Sequence, residues 1–329
     1  MNGGHGHASC HHGEILQGVF LDASGQPCRG LVTLPMPGPG VRAEFTPRPG
    51  DRVVVHPADR VKAARAASLT IAECARRTGL PRCGGQLRLD GDIPLGLGMG
   101  SSTGDVIAAV RAVASSYGVD LPPEALARLA VEAEHASDPI MLGDRPMLFA
   151  HREGRVLEDL GDALPPVVVV SCLTGGGRPV NTLGVPACQD DDVPAYERLR
   201  AVLRQAIADA DLALLGQVST ASARHNQRVL PKEELTELEA IARRTGSVGV
   251  QVAHSGNVAG LLFDPAADDL DERIGHCVRA LHRRDIPVAR IFSTGRPEGG
   301  HGQPHRRRDQ QTGPRTPRRS GRGTRLPAL

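Results

Sequence analysis

Pro94-Leu95-Gly96-Leu97-Gly98-Met99-Gly100-Ser101-Ser102, followed by Thr103 and a long apolar stretch, is the segment on which the reading of this chain turns. Three glycines and a leading proline let the backbone bend where side chains would block a ligand. The hydroxyl residues then open a helix over 102–117. Its apolar positions Val106, Ile107, Val110, Val113, Ala114 and Tyr117 form one stripe. A helix start presents unpaired N–H groups and a partial positive charge, so the segment predicts a docking site for a phosphate. A serine hydroxyl there is also a suitable oxygen ligand for Mg²⁺. A plain glycine turn with serine caps is the simpler reading of such a loop; a leading proline before Gly-Ser-Ser-Thr and an apolar helix favours phosphate. The loop is not of the GxxxxGK[ST] type, and it does not give GxGxxG. The only lysines, Lys62 and Lys232, are both remote from it in sequence.

The remaining composition narrows the class. The chain has 329 residues, 40% hydrophobic and 23% charged, enough for roughly two folded domains. No apolar run approaches the roughly 18 residues that span a bilayer, and the first residues lack a secretory pattern, so a cytoplasmic protein without membrane contact is expected. Seven scattered cysteines with no CxxC pair argue for reduced thiols rather than disulfides or a zinc site. The net charge of +2 conceals nine arginines between Arg296 and Leu329, opposed there only by Glu298 and Asp309. That segment, 296–329, has no apolar period and reads as a basic, disordered tail; without interleaved aromatics it does not read as a nucleic-acid binder.

Strand and helix patterns alternate along the rest. Leu31–Leu34, Val53–Val55, Gly85–Leu89, Val167–Val170, Val248–Val252, Ala259–Phe263 and Val288–Phe292 read as strands. Val61–Thr78, Pro123–His135, Leu235–Thr245 and Leu270–Arg284 read as helices, and 196–215 as one more with little interruption. This is an α+β pattern dividing near residue 160. The histidine-rich start, with His5, His7, Cys10, His11 and His12, fits no closed metal-ligand spacing and reads as flexible. Thr174–Arg178 is a glycine loop in which Arg178, with Asn181 and Thr182, suits a carboxylate or phosphate. Ser222, His225, Asn226 and Gln227 form a polar group before Lys232 with no assigned role.

Taken with two other segments, the loop resembles the GHMP kinase family, whose phosphate loop reads P-x-x-x-G-L-G-S-S-A. Here Met99 stands for leucine and Thr103 for alanine. Ser9-Cys10-His11-His12-Gly13-Glu14-Ile15-Leu16-Gln17-Gly18 resembles the family's first motif. Gly249 to Gly260, with His254-Ser255-Gly256-Asn257-Val258-Ala259-Gly260, resembles its glycine-rich third motif. Order and spacing fit over about residues 5–295. Within the family the chain most resembles the L-threonine kinase of cobalamin synthesis, through Gly13–Gly18 and Ser137-Asp138-Pro139-Ile140-Met141. It departs from that subgroup at His11-His12 and at Ala136-Ser137, positions close to the substrate.

The resemblance implies a two-domain fold. An ATP-binding domain like ribosomal protein S5 domain 2 would cover 1–160, and a ferredoxin-like domain 161–295. It implies an ATP- and Mg²⁺-dependent small-molecule kinase, acting as monomer or homodimer on a small hydroxylated amino acid, threonine first. Other acceptors such as homoserine or a specialised-metabolite intermediate stay open, as does a relative that binds nucleotide without turnover. The ATP site would comprise Pro94, Gly96, Leu97, Gly98, Met99, Gly100, Ser101, Ser102 and Thr103, with Ser102 and Glu134 on the metal. Glu132, two positions back on the helix, would face elsewhere. Asp138 would accept the hydroxyl proton. His12, Glu14, Gln17, Asn181, Thr182, Ser255, Gly256 and Asn257 would line the substrate.

Overall fold

A computed structural model describes residues 2–91, 97–177 and 192–295. Pro94, Gly96, Arg178, Asn181, Thr182 and the whole 296–329 segment therefore lie outside the described residues. Met1–Gly295 forms one compact unit.

The N-terminal segment expected to be flexible is strand β1, Gly4–Leu21, paired antiparallel with the 22-residue β2, Pro27–Arg48. Leu31–Leu34 is thus a fragment of a much longer strand. Histidine and glycine disguise β1, but they serve it. Gly4 and Gly6 lie directly under helix α2, Ser101–Ser116, where a Cβ on Gly6 would stand 2.1 Å from the Ala108 carbonyl oxygen. Breaks in register around Ser9–Cys10 and His11–Leu16, with Gly13 at φ 58°, bend the strand in its middle. Its outer half can therefore join one layer and its inner half another.

The other strands are β3 (Val53–His56), β4 (Gly84–Gly91), β5 (Met147–Ala150), β6 (Arg155–Asp159), β7 (Val168–Leu173), β8 (Gly249–Val252), β9 (Val258–Phe263) and β10 (Val288–Ser293). Their order in the sheet is β10-β7-β9-β8-β1-β2-β4-β3, with β5 pairing β2 and β6. Only β3 and β4 run parallel. β1 and β8 meet at a single pair, Glu14 opposite Val252, so one sheet passes through the residues of both expected halves.

Helices α1 (Val61–Thr78), α2 and α3 (Pro123–Glu134) cover the β1-β2-β4-β3 end. α1 buries Ala63, Ala66, Ala67, Thr70, Ile71 and Cys74 at helical spacing. It stops at Gly79 in the left-handed conformation, with Arg76 and Arg77 in the last turn. At the other end lie α4 (Val193–Ala208), α5 (Leu212–Asn226), α6 (Leu235–Thr245) and α7 (Leu270–His282). The expected continuous helix over 196–215 is two helices. Ala210 at φ 51° breaks the chain, and the Asp211 carboxylate caps α5 by accepting from the amides of Ala213 and Leu214. No helix among the described residues is long and apolar enough to cross a membrane.

The β1–α2 contact has no slack. Gly6→Ala is expected to lower unfolding stability by about 1–3 kcal/mol, because the clashing atoms belong to the α2 backbone. Gly3→Ala, whose Cβ would sit 3.6 Å from the nearest atom, should change little. Denaturant midpoints of the two variants check this; equal midpoints would contradict the packing.

Candidate active site

The glycine loop reaches α2 through two residues in the left-handed region, Gly98 at φ 80° and Gly100 at φ 70°. A Cβ on Gly98 would lie 2.8 Å from the Gly256 Cα, and one on Gly256 would lie 2.2 Å from the Gly98 amide nitrogen. The two backbones touch. The Leu97 carbonyl accepts from the amides of Asn257 and Val258 at 3.0 and 3.1 Å, and the Met99 carbonyl accepts from His11 at 3.3 Å. The loop is thus pinned between β1 and the β8–β9 turn. The buried Lys232 ammonium donates to the Gly256 carbonyl, and burial lowers its pKa to about 8.

Beside this loop a cavity of about 620 Å³ opens. Gly98, Gly100, Ser101, Ser102 and Thr103 line one side of it. The start of α1 supplies cations there: the Lys62 Nζ is 3.3 Å from the Ser102 hydroxyl and 3.7 Å from the Glu134 carboxylate, and Arg60 bridges to Asp105 at 2.9 Å. Glu134, on the last turn of α3, also accepts from Thr103 at 2.9 Å and from Ser102 at 3.3 Å. Burial raises its pKa to about 7 against the opposing pull of Lys62. Burial likewise raises Asp105 to about 6, opposed by Arg60.

α3 ends with His135 in the left-handed region, φ 69°, which turns the chain back so that Asp138 faces the same cavity as Glu134. The Ser137 amide donates to the His151 carbonyl and holds this return in place. The Asp138 carboxylate bonds His11 Nε2 at 2.9 Å, and His11 Nδ1 bonds the Gly13 carbonyl. Burial pushes Asp138 up, but the charge and hydrogen bond of His11 outweigh it, leaving Asp138 below its ordinary range. Burial also pushes His11 down, and Asp138 outweighs that, raising His11 to about 9. The two shifts agree on an ion pair at neutral pH. Glu14 brings an oxygen within 4.8 Å of both, yet it already accepts from the His254 amide at 2.8 Å. His11 and Asp138 are thus held by each other and Glu14 by His254.

Comparison with known proteins bears on this geometry. Residues 62–144 match the family described as "GHMP kinases N terminal domain", the stretch that holds Lys62, the loop, Glu134 and Asp138. Over this stretch the chain is similar to the GHMP kinases. It is 29% identical over 183 residues to an L-threonine kinase of Citrobacter freundii, covering 54% of this chain and 62% of that protein. It is 27% identical over 212 residues to an L-threonine kinase of Salmonella typhimurium, covering 63% and 70%. To a homoserine kinase of Moorella thermoacetica it is 28% identical over 188 residues, covering 55% and 62%. The chain thus spans less than two thirds of the length of the first and third of these. The fold is that of the homoserine kinase from Cytophaga hutchinsonii, at TM-score 0.62, 16% identity and 89% and 94% coverage. It is also that of a mevalonate pyrophosphate decarboxylase from Streptococcus pyogenes, at TM-score 0.60, 14% identity and 89% and 96% coverage.

Within this geometry the expected site residues divide. Gly98, Gly100, Ser101, Ser102, Thr103, Glu134, Asp138, Glu14, Gln17 and Ser255 line the cavity. Leu97 and Met99 turn their side chains into the apolar core and face the loop's partners only through backbone. Gly256 and Asn257 hold the loop from behind. His12 does not reach the cavity: it is fully buried in the sheet, bonded to Gln251 and Ser171 at 2.8 and 2.7 Å, and burial lowers its pKa to about 4. Lys62 and Lys232, both remote from the glycine loop in sequence, reach it through folding, Lys62 at Ser102 and Lys232 at Gly256 behind the loop. Sequence separation hid both. Arg29, Arg60, His151 and Arg152 were also missed, as no local motif surrounds them.

Because His11 is raised, its stabilising contribution is complete below its ordinary pKa of 6.5 and lost as pH rises through about 9. That of Asp138 is present above the ordinary carboxylate range and lost on acidification. The stability gap between wild type and His11→Gln should therefore be on the order of 1–3 kcal/mol at pH 7 and shrink by pH 10. Denaturant unfolding at the two pH values measures it; a gap independent of pH would contradict the ion pair.

Proposed function

We propose that the chain is an ATP-dependent kinase that transfers the γ-phosphate to the hydroxyl of a small hydroxylated amino acid, with L-threonine the first choice. The observation that carries this reading is the meeting, on one cavity, of a helix-start glycine loop with Lys62 and of the Asp138 carboxylate with its His11 partner. The L-threonine kinase relatives favour threonine.

Phosphoryl transfer through a loose transition state asks mainly for positioning and charge stabilisation. The amides at the start of α2, the hydroxyls of Ser101 and Ser102 and the Lys62 ammonium supply cationic and donor groups for the nucleotide phosphates. Ser102 and Glu134 offer oxygens 3.3 Å apart, a donor set suited to Mg²⁺. These two would hold the ion, which neutralises phosphate charge when bound. Its arrival would also favour the ionised form of Glu134, which burial otherwise resists. Asp138, ionised at neutral pH and oriented by His11 and Thr103, would position the acceptor hydroxyl and take its proton as the bond to phosphorus forms.

The expected lobes at about 1–160 and 161–295 each have an apolar cluster of their own, one drawn from Ala8 to Phe149 and another from Val170 to Ile286, while a third, from Cys10 to Phe292, draws on both. Six described cysteines are buried free thiols, which suits a cytoplasmic enzyme, monomeric or homodimeric. The Moorella homoserine kinase, at similar identity, keeps homoserine as the second reading of the acceptor.

ADP release measured with L-threonine, L-homoserine and L-serine tests the proposal, with L-threonine expected to be used best. Asp138→Asn should lower kcat about 10²- to 10⁴-fold while nucleotide affinity is retained. Equal turnover by the variant would remove Asp138 from the proton transfer. Nucleotide binding without turnover of any acceptor by the wild type would mark a non-catalytic relative.

A further inference from the structure

The charged groups lining the cavity are almost all paired. Arg60 is held by Asp59 and Asp105, Lys62 by Glu134, Asp138 by His11 and Glu14 by His254. Two lining charges have no carboxylate partner among the described residues: Arg29, half-buried on β2, and Arg152, exposed in the turn between β5 and β6. Both are arginines, whose guanidinium fork matches a carboxylate bidentately.

Strand register brings them together. Leu31 on β2 lies opposite Gln17 on β1 and opposite Phe149 on β5. Arg29, two residues before Leu31, shares its face of the sheet, and Gln17, Leu31 and Arg29 all line the cavity. Running antiparallel from Phe149, the chain leaves β5 toward the Arg29 end and places His151 and Arg152 in the turn that follows. His151 is itself buried in the cavity wall, and its Nδ1 has no hydrogen-bond partner among the described residues. Its carbonyl is the group that accepts from the Ser137 amide, one residue before Asp138. A short backbone link therefore connects the arginine pair to the proposed proton acceptor. The glycine loop and Lys62 approach Asp138 from the α2 side instead.

We propose that Arg29 and Arg152 form an anion subsite at the acceptor end of the cavity, selecting substrates that carry a carboxylate on the same molecule as the reacting hydroxyl. The proposal rests on the kinase reading above and assigns a specificity-determining pair within it. An acceptor anchored by its carboxylate at Arg29 and Arg152, and by its hydroxyl at Asp138, is held at two points. A neutral alcohol would leave the guanidinium pair uncompensated. This places carboxylate recognition on β2 and the β5–β6 turn.

Steady-state kinetics with L-threonine and with L-threoninol, which lacks the carboxylate, test it. Wild type should prefer L-threonine. Arg29→Met and Arg152→Met should each raise the KM for L-threonine about 10- to 100-fold, with kcat changed much less and L-threoninol little affected. Arg29→Lys should recover part of the loss by retaining the charge. Affinity for a fluorescent ATP analogue should stay within about twofold of wild type, as expected if the pair contacts only the acceptor. Equal use of the two acceptors by wild type, parallel losses on both by the variants, or a matching loss of nucleotide affinity would each overturn the subsite while leaving the kinase reading standing. Should wild type turn over neither of these two, L-threonine fails as the acceptor and calorimetric binding of L-threonine, L-homoserine and D-glycerate decides the subsite. Binding that is weakened in the double variant supports it; absent or unweakened binding overturns it.

Discussion

Everything in the cavity depends on a contact that has no room for a side chain: the backbone of Gly98 against that of Gly256. Either Cβ would enter the other residue's main chain. Glycine at Gly98 also meets a second demand, because φ 80° is strained for any other residue. The contact fixes where the loop stands relative to β1 and the β8–β9 turn, and hence where α2 begins. The hydroxyls of Ser102 and Thr103 follow from that start, and Glu134 and Lys62 are placed by what those hydroxyls bond. Moving the loop by an ångström would disturb all of these at once.

The electrostatics of the cavity build outward from the same point. Lys62 opposes the burial of Glu134, Arg60 that of Asp105, and His11 that of Asp138, so two of the cations come from the start of α1 and one from β1. Two of these acids, Glu134 and Asp105, are pushed up by burial despite their cations, whereas Asp138 is held down. That contrast separates their chemistry. At neutral pH His11 holds Asp138 ionised, while burial pushes the Glu134 carboxyl toward its neutral form.

Local pattern was legible in the sequence, and long-range pairing was not. The bounds of α1 and α6, and nearly those of α2, α3 and α7, follow from apolar spacing and end signals, although α2 proves to be buried on almost every side rather than along one stripe. The loop was legible as well, since its glycines and hydroxyls are contiguous. β1 was not: His5, His7, His11 and His12 carry no apolar alternation, and their place in the sheet is set by α2 lying on Gly4 and Gly6. The consecutive histidines met opposite fates, His11 charged against Asp138 and His12 neutral inside the sheet, because a bent strand sends neighbours to different surroundings. Lys62, Lys232, Arg29 and Arg152 reach the site only through tertiary folding, and no window of sequence contains them together with their partners.

The Gly98–Gly256 contact also orders events during synthesis. The residues that shape the glycine loop, the β8–β9 turn and Lys232, leave the ribosome long after the loop itself. The N-terminal residues can assemble their helices around β1 and β2 while the chain is growing, since those contacts are nearer in sequence. The loop gains its final backbone only when β8 has paired beside Glu14 and the turn beyond it has closed. Nascent chains that have passed α3 but not β9 would therefore hold a folded helical layer around an unset glycine loop. Completion of the fold and closure of the cavity wall become a single late step.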